Sequence, residues 1–153
     1  MKKRDLRAAF YEAADEFLKD HKVIQMKNFI QHGNVTTYDH VRHVAECSYR
    51  MNHRFHLHAN DFELIRGAIL HDYFLYDWHT FGDGLHGYHH PARALKNAER
   101  DFGLSMREKN IISSHMWPLT LRSCPKCREA WIVCLADKIC STYETIRMRK
   151  GMA

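Results

Sequence analysis

Three prolines and seven glycines among 153 residues leave little room for long linkers, so a single domain is expected, long enough to bury a sizeable core. No apolar stretch approaches the ~20 residues of a membrane span, and this excludes an integral helical membrane protein. The first residues, Met1-Lys-Lys-Arg-Asp-Leu-Arg, start basic but run straight into Asp5, Glu12, Asp15 and Glu16, without the apolar core of a signal peptide. A cytoplasmic location is the expectation. Five cysteines (47, 124, 127, 134 and 140) form no regular framework, which argues against a disulfide scaffold and for reduced thiols. There is no internal repeat, no low-complexity segment and no basic stripe. The net charge of +5 is scattered, so it favours small phosphates as readily as nucleic acid. The abundant residue is histidine: thirteen of them raise the expectation of metal binding.

Apolar residues recur at helical spacing along most of the chain. Residues 4–20 place Leu6, Phe10, Ala13, Ala14, Phe17 and Leu18 on one face. A shorter helix is expected over 22–31, ending at Gly33. Thr36 or Thr37 can cap a third helix through about residue 56, with Val41, Val44, Ala45, Ser48 and Met51 inward. Asn60 or Asp61 can cap a fourth, carrying Phe62, Ile65, Ala68 and Ile69 and ending near His71-Asp72. Residues 73–89 are rich in aromatics, glycine, aspartate and histidine without a period, and long loops in compact domains are usually functional. Pro91 suits a helix first turn, with Gly103 closing that helix. Ser105-Met-Arg-Glu108 is a capping-box pattern that opens a helix to about 116. A loop punctuated by Pro118 and Pro125 leads to a last helix over 126–149. No run alternates as a strand. The fold class expected is all-α, a compact bundle of about six to eight helices.

Several polar residues sit where an apolar pattern makes them costly. His71 and Asp72 follow Gly67-Ala-Ile-Leu; buried side by side, both would be desolvated without compensation unless paired or bound to a metal. Asp137 lies in Trp131-Ile-Val-Cys-Leu-Ala-Asp-Lys-Ile-Cys, the most apolar part of the last helix, where a lone carboxylate needs a cation. Lys138 is not that cation, because adjacent helical residues do not face each other. His115 ends the apolar stretch Ile111-Ile-Ser-Ser. His90 precedes Pro91 at a helix start. His40 and His43 are neighbours on one helix face, and either could be a ligand. Imidazole nitrogen mixed with carboxylate oxygen suits Fe, Mn, Co, Ni or Zn better than Ca or Mg alone. Six ligands with Asp72 as a bridge suit two divalent transition ions a few ångströms apart, as used in phosphate ester hydrolysis.

In order and spacing these residues resemble the HD-domain metal-dependent phosphohydrolase superfamily, whose pattern is His … His-Asp … Asp on a helical bundle. The resemblance covers roughly residues 36–145, with 1–33 expected to pack on that core as N-terminal helices of one HD domain. Thr37-Tyr-Asp-His40-Val-Arg-His-Val44-Ala-Glu is similar to the family's first-histidine helix, which favours His40 over His43. Leu70-His71-Asp72 matches the doublet and Ala136-Asp137-Lys138 the last ligand. His90-Pro91 and His115 are similar to the extra histidines of two-metal branches, including small bacterial hydrolases of dinucleoside polyphosphates. Those relatives often carry lysine three residues after the doublet's aspartate; here the position is Leu75. Tyr76-Asp-Trp-His, which follows, is a candidate replacement.

The resemblance implies hydrolysis of a phosphate ester or anhydride of a nucleotide or other small phosphorylated metabolite. His40, His71, Asp72 and Asp137 would form the core site, and Asp72, His90 and His115 would hold the second metal. Asp72, Lys138 and Asp77 are the expected catalytic residues, with His79 and His86 as further proton-transfer candidates. Arg93, Arg122, Lys126 and Lys138 could grip phosphates. Aromatics from Tyr73 through Phe81 and Tyr88, Trp78 above all, could stack on a base or form a core lid, and Trp117 is a separate stacking candidate. The alternative is a metal-retaining, non-catalytic ligand-binding or regulatory module, which the missing lysine favours. Cys124-Pro-Lys-Cys127 resembles half a zinc site, short of the four ligands required. The run Asn52-His-Arg-Phe-His-Leu-His reads as a helix end and turn facing water. A homo-oligomer is left open.

Overall fold

The computed structural model describes residues 3–80 and 84–151, without the side chains of Lys3 and Arg4; Phe81 lies outside the described residues. Seven α-helices are present among them: α1 (Lys3–Leu18), α2 (His21–Ile24), α3 (Thr37–Arg54), α4 (Asp61–Leu70), α5 (His86–Asp101), α6 (Met106–Ser114) and α7 (Arg128–Arg149). The fold is an all-α bundle. No helix among the described residues is long and apolar enough to cross a membrane.

Caps set the helix starts. Thr36 Oγ1 accepts from Asp39 N–H before α3, and Asn60 from Glu63 N–H before α4. Ser105 and Glu108 exchange both bonds of the capping box at α6. Helix α4 is the central element, with Leu64, Ile65 and Gly67 through Leu70 all buried. It packs against α1, α3, α6 and α7. Gly67 allows α6 to approach closely, since a Cβ there would lie 2.4 Å from Ile111 Cδ1 on that helix. Phe10, Val41, Val44, Ile69, Ile111, Ile112 and Val133 complete the core. Full burial of each of the larger side chains contributes roughly 1.5–3 kcal/mol.

The chain departs from the helical expectation at 22–31. Helix α2 gives way to a 3-10 turn at Gln25–Asn28, and then to a hairpin of β1 (Ile30–His32) and β2 (Val35–Thr36). Gly33 supplies the positive φ of +55° that the turn needs. Met148 of α7 packs over it so closely that a Cβ would lie 2.7 Å from its Sδ. Strands this short show no alternation that a sequence pattern can register. Three smaller corrections concern packing and boundaries. Ala13 is exposed rather than inward. Pro91 is the sixth residue of α5, not in its first turn; so near the start it costs the helix a single backbone bond. His56 and His58 face water, but His53 lies 2.8 Å from Asp61 Oδ2, a carboxylate supplied by the next helix.

Candidate metal centre

Two helices end on a histidine, and both do it the same way. Tyr73 N–H tightens the last turn of α4 by donating to Leu70 O at 3.1 Å, and Trp117 N–H does the same at α6 with Ser114 O at 3.0 Å. At each C-cap the imidazole folds back, His71 Nδ1–H donating to Ala68 O at 2.6 Å and His115 Nδ1–H to Ile112 O at 2.8 Å. Within α5, His90 Nδ1–H donates to His86 O at 3.0 Å. A carbonyl oxygen only accepts, so the network puts a proton on Nδ1 of all three rings and turns each Nε2 toward the cluster, a bare lone pair whenever the ring is neutral. A metal-ligating histidine is oriented in this way.

These lone pairs converge. His90 Nε2 stands 2.8 Å from His115 Nε2, a separation at which two acceptors repel unless a cation or a proton lies between them. Asp72 Oδ1 lies 3.1 Å from His90 Nε2 and 3.4 Å from His115 Nε2. Its other oxygen, Oδ2, lies 3.5 Å from His71 Nε2 and 3.7 Å from His40 Nε2. Asp137 Oδ1 reaches the same two imidazoles at 3.1 Å (His40) and 3.6 Å (His71). His71 Nε2 and Asp72 Oδ1 are buried without a hydrogen bond of sound geometry, a cost that a metal would remove. The structure thus brings together His40, His71, Asp72, His90, His115 and Asp137, none more than 7% exposed. Asp72 is shared between a His40–His71–Asp72 triad and an Asp72–His90–His115 triad whose ligand atoms lie within 4.8 Å of one another.

Without a metal the cluster is an unusually charged interior. Burial works against protonated His40, but hydrogen bonds with Asp137 and Glu144 prevail and push its pKa up to about 10. Burial likewise works against ionised Asp72 and Asp137, yet His71 and His90 hold Asp72 well below the carboxylate range, and His40 and His71 do the same for Asp137. For His115 burial itself prevails and lowers the pKa, which preserves its bare Nε2. Burial opposes ionised Glu144 too, but His40 and His43 bring it down to about 2.

Four residues of this environment escape sequence reasoning. Glu144 accepts from His40 Nδ1 at 2.9 Å and from His43 Nδ1 at 3.0 Å, so the partly exposed His43 braces Glu144 from outside while His40 enters the cluster. Glu144 lies two helical turns beyond Asp137 on α7, a spacing that could have flagged it. Ser141 Oγ lies 3.3 Å from Asp137 Oδ1. Gln31 Nε2 donates to Asp72 Oδ2 at 2.8 Å, and His32 forms a further metal-capable group with His40 and Glu144. The hairpin that places Gln31 and His32 leaves no sequence signal.

A cleft of 1190 Å3 opens onto Asp72, His90, His115 and Asp137. Lys138 lines it, but its ammonium donates to His115 O at 2.9 Å and Cys134 O at 3.3 Å. Trp78 also lines it, stacked on His86 at 4.8 Å, and His79 stands beside them. Among the described residues the remaining candidates do not line the cleft. Asp77 is half exposed and accepts from His79 N–H at 3.0 Å, while Arg93 is half-buried with its guanidinium 5.0 Å from the Tyr76 ring. Trp117 packs edge-on against Trp131 at 5.0 Å, and Arg122 and Lys126 are exposed. Tyr73 and Phe74 are core, and Tyr88 is exposed. Cys127 Sγ meets Asn110 Oδ1 at 3.5 Å, and no cysteine joins a metal-capable group among the described residues. Compared with models of protein families, with curated proteins and with solved structures, the chain gives no match.

Proposed function

We propose that this chain is a metal-dependent phosphohydrolase of the HD type, acting on a nucleotide or another small phosphorylated metabolite. The observation that carries the reading is the convergence of imidazole lone pairs, with His90 and His115 facing each other at 2.8 Å, on a carboxylate divided between two triads. Asp72 with His40, His71 and Asp137 would hold one divalent transition ion, and Asp72 with His90 and His115 a second; Fe, Mn, Zn, Co and Ni all suit this donor set. Bound there, such ions supply a water of lowered pKa and neutralise charge on phosphoryl oxygens. The chain's own part is orientation. Backbone carbonyls fix three rings, Glu144 holds the fourth, and Ser141 supports Asp137. The stacked Trp78 and His86 offer a planar wall to a base.

One observation favours a second reading, a metal-retaining module without turnover. Leu75, where related hydrolases carry lysine, is apolar, has a positive φ of 55° and packs against the core. Lys138 is the one lysine or arginine lining the cleft among the described residues, and its protons go to two backbone carbonyls and the Cys134 sulfur. The deciding experiment is metal analysis of anaerobically purified protein, followed by a turnover screen of the Mn- or Fe-loaded form against nucleotides, pyrophosphates and an artificial phosphodiester. About two ions and turnover that Asp72→Ala abolishes together are expected. Two ions with the full panel untouched would favour the second reading, and absence of metal binding would overturn both.

A further inference from the structure

The hairpin reaches into the centre through Gln31, whose side chain is almost wholly buried although it belongs to a short strand at the molecular surface. The amide nitrogen is held by Asp72, and its oxygen lies within reach of one hydroxyl. Thr37 Oγ1, on the fully buried first residue of α3, lies 3.4 Å from Gln31 Oε1 and 3.3 Å from Phe29 O, and its single proton is shared between these two acceptors. Gln31 Nε2 donates to Asp72 Oδ2 at 2.8 Å. The carboxylate can only accept, so the nitrogen end of the amide must face Asp72. The backbone braces this arrangement, because Thr37 N–H donates to Phe29 O at 2.8 Å across the mouth of the hairpin. Gly33 and Met148 seat the turn on α7, the helix that carries Asp137.

Two consequences follow from the inventory of donors. A carboxylate oxygen has more than one acceptor direction, so Asp72 Oδ2 can keep the amide bond while it also ligates a metal. The bond fixes the rotation of the carboxyl group, and that rotation decides whether its two oxygens are shared between the two triads or both turn toward one. The amide nitrogen also carries a second proton. No protein acceptor takes it among the described residues, and Gln31 lines the cleft beside Asp72.

We propose that Gln31 is a positioning residue of the metal centre, holding Asp72 in its divided orientation and offering its second amide proton to an oxygen of a phosphoryl group bound in the cleft. The inference rests on the two-metal phosphohydrolase reading above. It assigns the hairpin a function: the hairpin is the part of the site that senses both the bridging carboxylate and the ligand.

The test uses Gln31→Met, which keeps the length of the side chain and removes both donors. Mn binding is followed by electron paramagnetic resonance, and inorganic phosphate is titrated into protein saturated with Mn. Wild-type protein is expected to bind two Mn ions in spin-coupled form. Gln31→Met is expected to weaken Mn binding roughly 10–100-fold and, at saturating Mn, to weaken phosphate about tenfold, a charged hydrogen bond lost. A merely structural role would lower the melting temperature and leave both affinities unchanged; that result, with two Mn still bound by wild type, overturns the Gln31 proposal alone. Failure of the wild type to bind Mn overturns the metal reading and Gln31's role with it. If Gln31→Met does not fold, Gln31→Leu, which likewise carries no donor, takes its place. The same losses are expected of it, and unchanged affinities there overturn the proposal equally.

Discussion

Dividing Asp72 between two triads makes a prediction about stoichiometry that no single-site arrangement shares. Asp72→Asn removes a ligand common to both metal-capable triads, whereas His90→Ala removes one from the Asp72–His90–His115 triad only. Ligand binding to the native state alone stabilises it by about 2.7 kcal/mol per site when free metal is 100 times Kd. Two sites therefore give roughly 5 kcal/mol. For a domain of this size each kcal/mol moves the melting temperature by about 2–4 °C, so wild-type protein should melt roughly 10–20 °C higher with Mn than with EDTA. His90→Ala should keep about half of that shift and one bound ion, because His40, His71, Asp72 and Asp137 remain. Asp72→Asn should lose nearly all of it. Each variant is compared with its own EDTA baseline in differential scanning calorimetry, since each also perturbs a buried cluster directly. The reasoning fails if Asp72→Asn keeps the full metal-induced shift, or if His90→Ala loses the response as completely as Asp72→Asn does.

Three further outcomes test other links in the argument. In EDTA, stability should fall away on both sides of a plateau. Glu144, lowered from 4.5 to about 2, stabilises the fold above pH 4.5 and loses that contribution as pH falls toward 2. His40, raised from 6.5 to about 10, stabilises it fully below pH 6.5 and loses the contribution as pH rises through about 10. Urea midpoints across pH that show no alkaline decline, or a decline that Glu144→Gln leaves untouched, would contradict the pairing. Gly67→Ala should cost about 1–3 kcal/mol in urea unfolding, because the new Cβ would meet Ile111 at 2.4 Å (Cδ1) and 3.2 Å (Cβ) and only the first of these atoms can rotate away. Ser105→Ala should cost about 1 kcal/mol through loss of the α6 capping box, and an unchanged urea midpoint would show that the cap contributes nothing.

Much of the bundle is legible in one dimension because helix periodicity and caps are local. Thr36, Asn60 and Ser105 start helices where short-range hydrogen bonding favours it, and the buried run of α4 follows its apolar pattern. The hairpin is illegible for the complementary reason. Its strands span three and two residues, and what holds them is Met148 on Gly33 and Thr37 on Phe29, contacts with distant or turning backbone. The same division runs through the site. His71, Asp72, His115 and Asp137 announce themselves as polar groups where burial is costly. Gln31 and Glu144 do not, since each lies in a segment whose polarity is unexceptional; only the fold shows that they face Asp72 and His40 from buried positions. Phosphate-gripping candidates chosen by charge and proximity fared differently again. Arg93, Arg122 and Lys126 lie off the cleft lining, because nearness in sequence to a candidate ligand says little about the direction of a long side chain.

By itself, then, the sequence determined the helical class and the set of imidazoles and carboxylates too costly to bury alone, because both follow from local periodicity and from desolvation. Tertiary structure alone decided which nitrogen of each ring is bare, which oxygen of Asp72 serves which triad, and which amide holds it there. Those are questions of orientation, and orientation is set by backbone carbonyls, a hairpin and a neighbouring helix that meet only when the chain is folded.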